Sequence, residues 1–336
     1  MSPRTLAIEA ALLIGAVVLI WMIVAPPFGG SDDFGVPDSV VGVTGNDGDG
    51  DGDGGSDNGD GDGGGDNGGG DPGPVGDGCA PLVGGDFMRA NQLLTYYGSP
   101  DAVTLGILGQ LEPDALVTRL KEHARTYDEL NGFRGIQAGL HMIYATAQAY
   151  PGEDGLYIRR VADETLEEYV RLACDNGLFL FLDLQLGRAD METEIEKLLP
   201  YLRNTQVHLS LDPEFAMTAD QVPGQQIGHL DAAQINRAQQ ILDDLIAEHN
   251  LGDKILVVHQ FQESMITNRD DIESFRRVRL VIDMDGFGPG DAKLAKFELF
   301  SAPAEYGGIK LFFEQDDPLL SEEEVLKVRP DLIIYQ

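Results

Sequence analysis

The chain has 336 residues and carries 57 acidic against 23 basic side chains, a net charge of −34 at pH 7. That balance excludes a generic nucleic-acid binder, which needs a basic face to displace counterions from phosphate. It also argues against docking on an anionic lipid surface, because the field repels.

Taken in chain order, residues 6–25 form an apolar run with one ionisable member, Glu9. Twenty such residues are long enough to cross a hydrocarbon core of roughly 30 Å as a helix. A cleavable signal peptide is the competing reading. The run is long for that role, and cleavage after Ala25 would leave Pro26 and Pro27 at the new terminus. An uncleaved signal anchor over residues 1–29 is therefore expected. Arg4 precedes the span and acids follow it, which predicts a cytoplasmic N-terminus and a single pass through the plasma membrane. The remainder of the chain is then extracytoplasmic.

Residues 30–78 read as a disordered Gly/Asp-rich linker. Between 42 and 78 the chain holds 18 Gly and 10 Asp, and such a segment has almost nothing to bury against its ordering entropy. Asp47, Asp49, Asp51 and Gly52 match the start of a calcium loop. The match fails at its twelfth position, Asn58, where a bidentate Glu belongs.

Residues 79–336 are enough for one full core. They retain 43 acids and 22 bases, a net −21. Eight β-rich runs recur there, at 93–98, 134–143, 178–184, 207–212, 255–260, 279–283, 309–314 and 332–336. Amphipathic helical patterns fall between them, near 114–127, 158–175, 190–203, 231–249, 269–276, 291–299 and 321–328. Ser321 with Glu324 and Asp231 with Gln234 read as capping boxes. Gly132, Gly177 and Gly252 sit where helix-ending glycines belong. Strand–helix alternation predicts an α/β fold with a parallel sheet, closed as a (β/α)8 TIM-type barrel lacking the last helix. A doubly wound open sheet is disfavoured, because no GxGxxG loop follows the first strand. Connections after strands are long, notably 98–113, 144–157 and 213–230. Those after helices are short, as expected of a barrel with its site on the C-terminal face.

The two cysteines, Cys79 and Cys174, are both expected outside the cell and near the N-terminal face of the barrel. A disulfide between them is geometrically reasonable. Closing a loop of roughly 95 residues would contribute up to about 4–5 kcal/mol by chain entropy.

Period-two reading of the strands assigns the inward face. On the second strand it holds His141, on the third Asp183, and on the fourth His208, Ser210, Asp212 and Glu214. On the fifth it holds His259, on the sixth Asp283 and Asp285, and on the seventh Lys310, Phe312, Glu314 and Asp316. Acids thus gather at the ends of nearly every strand. Each alone is more simply a turn-capping residue. Together they place like charges around one opening, an arrangement that costs energy and usually serves proton transfer, cation binding or polar ligands.

On these residues the chain resembles, at the level of fold, the barrel glycoside hydrolases. The fourth strand runs HLSLDPEF and ends in Glu214. The seventh runs IKLFFEQDD and ends in Glu314. The resemblance implies Glu214 as acid/base and Glu314 as nucleophile, flanking a glycosidic bond. Pro213 stands where the largest such group carries Asn. Asp183, His208, Asp212, His141, His259, Asp283 and Asp285 would then be substrate-binding partners. Stacking would fall to Tyr and Phe, including Tyr97 and Tyr335, since the one Trp, Trp21, lies in the apolar run. A metal site from His141, His259 and Asp283 or Asp285 is the weaker reading, and no metal or cofactor is expected. There is no G-x-S-x-G elbow and no P-loop. Two functions stay open. One is a hydrolase of a carbohydrate or cell-envelope polymer, and the other a non-catalytic surface module binding a polar ligand or partner.

Overall fold

Eight parallel strands close on themselves in the computed structural model, which describes residues 87–132, 134–301 and 304–336. The strands are β1 (Asn91–Gly98), β2 (Gly135–Ala147), β3 (Phe179–Leu184), β4 (Val207–Leu211), β5 (Lys254–Gln260), β6 (Val278–Met284), β7 (Tyr306–Leu311) and β8 (Leu332–Tyr335). Each pairs with its successor, and β1 pairs with both β2 and β8, which closes the ring. The signal anchor (1–29), the linker (30–78) and Cys79 lie outside the described residues. Within them, no helix is long and apolar enough to cross a membrane.

Among the described residues, a one-turn helix at Phe87–Ala90 precedes β1, and six longer helices cover the barrel: α1 (Pro113–Asn131), α2 (Asp163–Asn176), α3 (Met191–Leu202), α4 (Ala232–His249), α5 (Gly290–Phe300) and α6 (Glu322–Lys327). Both expected capping boxes form, at the starts of α4 and α6. Gly132 and Gly177 end α1 and α2 in the left-handed conformation, which costs a glycine little. At the end of α4 that role falls to Asn250 (φ 51°) rather than Gly252, since Asn also tolerates this region.

Two expected helical stretches differ. The 158–175 pattern is split. Ile158–Arg160 is a short strand, antiparallel to the extended end of β2, and α2 begins only at Asp163. The 269–276 pattern yields one 3-10 turn, Arg269–Asp271, and then extended chain.

Strand alternation divides the core in two. Outward residues such as Leu140, Leu180, Leu182, Leu209, Leu211 and Val258 pack with the helices. Inward residues, among them Leu93, Phe179, Phe181, Ile255, Val257 and Val281, fill the barrel. Full burial of each such side chain contributes roughly 1.5–3 kcal/mol. Cys174 is disulfide-bonded and sits in the last turn of α2, which leads directly into β3.

Candidate active site

The polar inward residues cluster in the C-terminal halves of the strands, where register locks them side by side. Tyr97 pairs with His141, and His141 with Phe181. Asp183 pairs with Ser210, and His259 with Asp283. Gly308 lies opposite Asp283 on β7, and a Cβ there would fall 2.6 Å from Asp283 Oδ1. The glycine thus leaves the room that the carboxylate occupies.

His259 is the hub. It is fully buried, its Nδ1 lies 3.0 Å from Asp283 Oδ2 and 3.5 Å from Asp285 Oδ2, and its Nε2 lies 3.1 Å from Ser210 Oγ and 3.7 Å from Asp183 Oδ1. Burial would lower its pKa. The hydrogen bond to Asp283 and the charge of Asp183 outweigh burial, and the imidazole is pushed up to about 9. Tyr97 donates its hydroxyl to Asp183 Oδ2 at 2.7 Å. Lys310 Nζ pairs with Asp285 Oδ2 at 3.0 Å and lies 3.6 Å from the centre of the Tyr97 ring. Burial opposes the charge on Lys310, but Asp285, Asp212, Asp283 and Asp183 together raise its pKa.

The carboxyls are driven apart. Burial, reinforced by Asp183 and Asp285, raises Asp212 to about 7. Burial also raises Asp283, despite its bond to His259. For Asp285, Lys310, His259 and the Gly286 N–H outweigh burial and hold the carboxylate below its ordinary range. Glu214 follows β4 in a one-turn 3-10 segment whose first residue is Pro213 and whose cap is Asp212. It is only partly buried as a residue. Desolvation of its carboxyl, with the charges of Asp212 and Asp285, pushes its pKa well above the carboxylate range.

Several buried atoms have no hydrogen-bond partner among the described residues: both ring nitrogens of His141, Asp183 Oδ1, Asp283 Oδ1 and His208 Nε2. The His141 ring is stacked on Phe181 at 5.1 Å and tilted against Tyr97 and His259. His208 packs on Phe179 and Phe181. Its Nδ1 accepts from the Ile255 N–H, away from the His259 hub. Two sets offer ligand atoms within 4.8 Å of one another: His141, Asp183 and His259, and His259, Asp283 and Asp285.

Of the residues singled out from sequence, the structure brings Tyr97, His141, Asp183, Asp212, His259, Asp283 and Asp285 into this network, with Glu214 beside it. Glu314 is exposed on the turn after β7. Tyr335 faces the helices, bonded to the Tyr127 hydroxyl at 2.8 Å and stacked on Phe313. Lys310 and Ser210 carry roles the sequence reading left unassigned. The available signal was a lysine in an otherwise apolar strand, where burial demands a carboxylate partner. Comparison with known families and with curated proteins finds no matching family model and no matching protein.

Proposed function

We propose that the protein is a hydrolase acting on a carbohydrate or cell-envelope polymer, carried outside the cell by its N-terminal segment. Glu214 is its proton donor. The supporting observation is the Glu214 carboxyl, whose pKa burial and the charges of Asp212 and Asp285 push well above the carboxylate range, beside a site rich in charge. Protonating a leaving oxygen at neutral pH requires such a carboxylic acid. The site also supplies an anion. Asp285 is ion-paired with Lys310 at 3.0 Å and close enough to Glu214 to act on its charge. In this reading Asp285 takes the anionic role that the resemblance to barrel glycoside hydrolases implies for Glu314. An acid and an anion within electrostatic reach of one another at the end of a barrel are the kind of pair that glycosidic hydrolysis uses.

The test is hydrolysis of a panel of polysaccharides and envelope polymers by the full chain in detergent. Glu214→Gln is expected to lower the rate by roughly 10²–10⁴-fold. Asp285→Asn should be similarly damaging and Glu314→Gln mild. The reverse order would return the nucleophile role to Glu314. Wild-type rates in Glu214→Gln would remove the acid role. An inert wild type that binds a panel member would favour the non-catalytic surface module.

A further inference from the structure

We propose that the barrel interior binds one divalent transition-metal ion through a ring nitrogen of His141, Asp183 Oδ1 and His259 Nε2. This goes beyond the hydrolase reading and does not depend on it. The three side chains come from β2, β3 and β5, are all fully buried, and present ligand atoms within 4.8 Å of one another. Two imidazoles and one carboxylate suit Zn²⁺ and its first-row neighbours rather than Mg²⁺ or Ca²⁺. His259 Nε2 and Asp183 Oδ1 are 3.7 Å apart, near the roughly 3.3 Å that separates two ligands of a tetrahedral ion with bonds of about 2.0–2.1 Å.

The independent observation is a set of unused atoms. Among the described residues, His141 has neither ring nitrogen hydrogen-bonded and Asp183 Oδ1 has no hydrogen-bond partner, although both residues are completely buried. Stranding such groups costs free energy that a bound cation would recover. The outer support is also in place. Asp283 holds His259 Nδ1, which points Nε2 at Ser210 Oγ and Asp183 Oδ1, and Tyr97 holds Asp183 Oδ2, which leaves Oδ1 without a hydrogen bond among the described residues. Metal-binding histidines and carboxylates are oriented by such partners. The second set, His259 with Asp283 and Asp285, is already internally bonded and has less to offer. The opposing cations are Lys310, whose ammonium is turned to Asp285, and His259, which must be neutral imidazole to bind the ion. Beyond the Lys310–Asp285 pair, Asp183, Asp212 and Asp283 leave the interior with more carboxyls than cations.

The experiment strips the full chain with chelator, dialyses it against Zn²⁺ and measures retained metal, with Co²⁺ as a spectroscopic substitute. One ion per chain should be retained, with the intense visible absorption of four-coordinate Co²⁺, and Zn²⁺ should raise the melting temperature. His141→Phe keeps the ring stack on Phe181 and should lose that ion and that rise. Tyr97→Phe removes only the hydroxyl that orients Asp183 and should weaken binding by roughly 10–100-fold. Equal retention in wild type and His141→Phe would place the ion elsewhere, on the second set or on surface or linker acids, and overturn the proposal. So would no retention, or a weak octahedral Co²⁺ spectrum in the wild type, a result that needs no variant to fold.

Discussion

At the scale of the residue, His141 is the most informative side chain. Neutral imidazole holds one donor and one acceptor, and here both are buried without a hydrogen bond among the described residues. Burial lowers its pKa well below the ordinary histidine value, with the charges of His259 and Lys310 adding to the effect, so charging it gives no escape. Phenylalanine has nearly the same shape and nothing to satisfy. In chelator, His141→Phe should therefore stabilise the protein by roughly 1–3 kcal/mol, read as a higher urea midpoint with unchanged slope. A lower midpoint would mean that the nitrogens are satisfied after all. The inward direction of His141 was legible, because GLHMI alternates cleanly. Its lack of partners was not, because that depends on which side chains the neighbouring strands bring opposite. Tyr335 shows the limit of the same rule. The segment LIIY is apolar on both faces, so periodicity could not say that Leu332 and Ile334 point in while Tyr335 points out.

At the scale of the element, the strand count, the closure and four of the clean helix-end signals were readable. The two altered segments show what was not. Residues 269–276 have helical spacing, but side chains of α4 capture their backbone. Asn236 bonds the Asp271 carbonyl and the Glu273 N–H, and Gln239 bonds the Glu273 carbonyl. Backbone groups satisfied from a neighbour have no need of a helix. The strand Ile158–Arg160 is likewise a tertiary product. Arg160 makes two 2.7 Å bonds to Glu194 of α3, a carboxylate only 1% exposed that also bonds Lys197. This ion pair pins the loop after β2 across the barrel's flank. Arg160→Ala would leave Glu194 buried with one cation instead of two, at a cost of about 2–3 kcal/mol. Hydrogen exchange should localise the damage. Amides of Gln148 and Val161, which bond across this junction, should lose protection, while those of β4 and β5 keep theirs. Uniform loss across the barrel would mean that Arg160 supports the global fold instead.

At the scale of the whole molecule, the charge of −34 acts in two separable ways, and pH distinguishes them. Diffuse repulsion among surface acids is long-ranged and screened over about 8 Å at physiological salt. The buried network responds to pH through specific groups. Asp212 is raised to about 7, so its contribution is complete below the unfolded value near 4 and is lost as pH rises through 7. His259 is raised to about 9, so its contribution is complete below about 6.5 and disappears as pH climbs through 9. For His259 the loss is on the order of 3 kcal/mol. Glu194 and Asp285 work the other way. Their lowered values mean stability lost as pH falls through the acid range. In chelator, the melting temperature should therefore peak at mildly acidic pH and fall steadily from there to about pH 9. High salt should flatten the part due to surface repulsion and leave the His259 step intact, because a fully buried pair is poorly screened. His259→Gln should lower stability throughout and flatten the decline between about pH 6.5 and 9, leaving the part due to the raised carboxyls of Asp212 and Glu214. A decline that vanishes in salt but survives in His259→Gln would assign it to the acidic surface, and the buried imidazolium would no longer be the pH-sensitive element of the barrel.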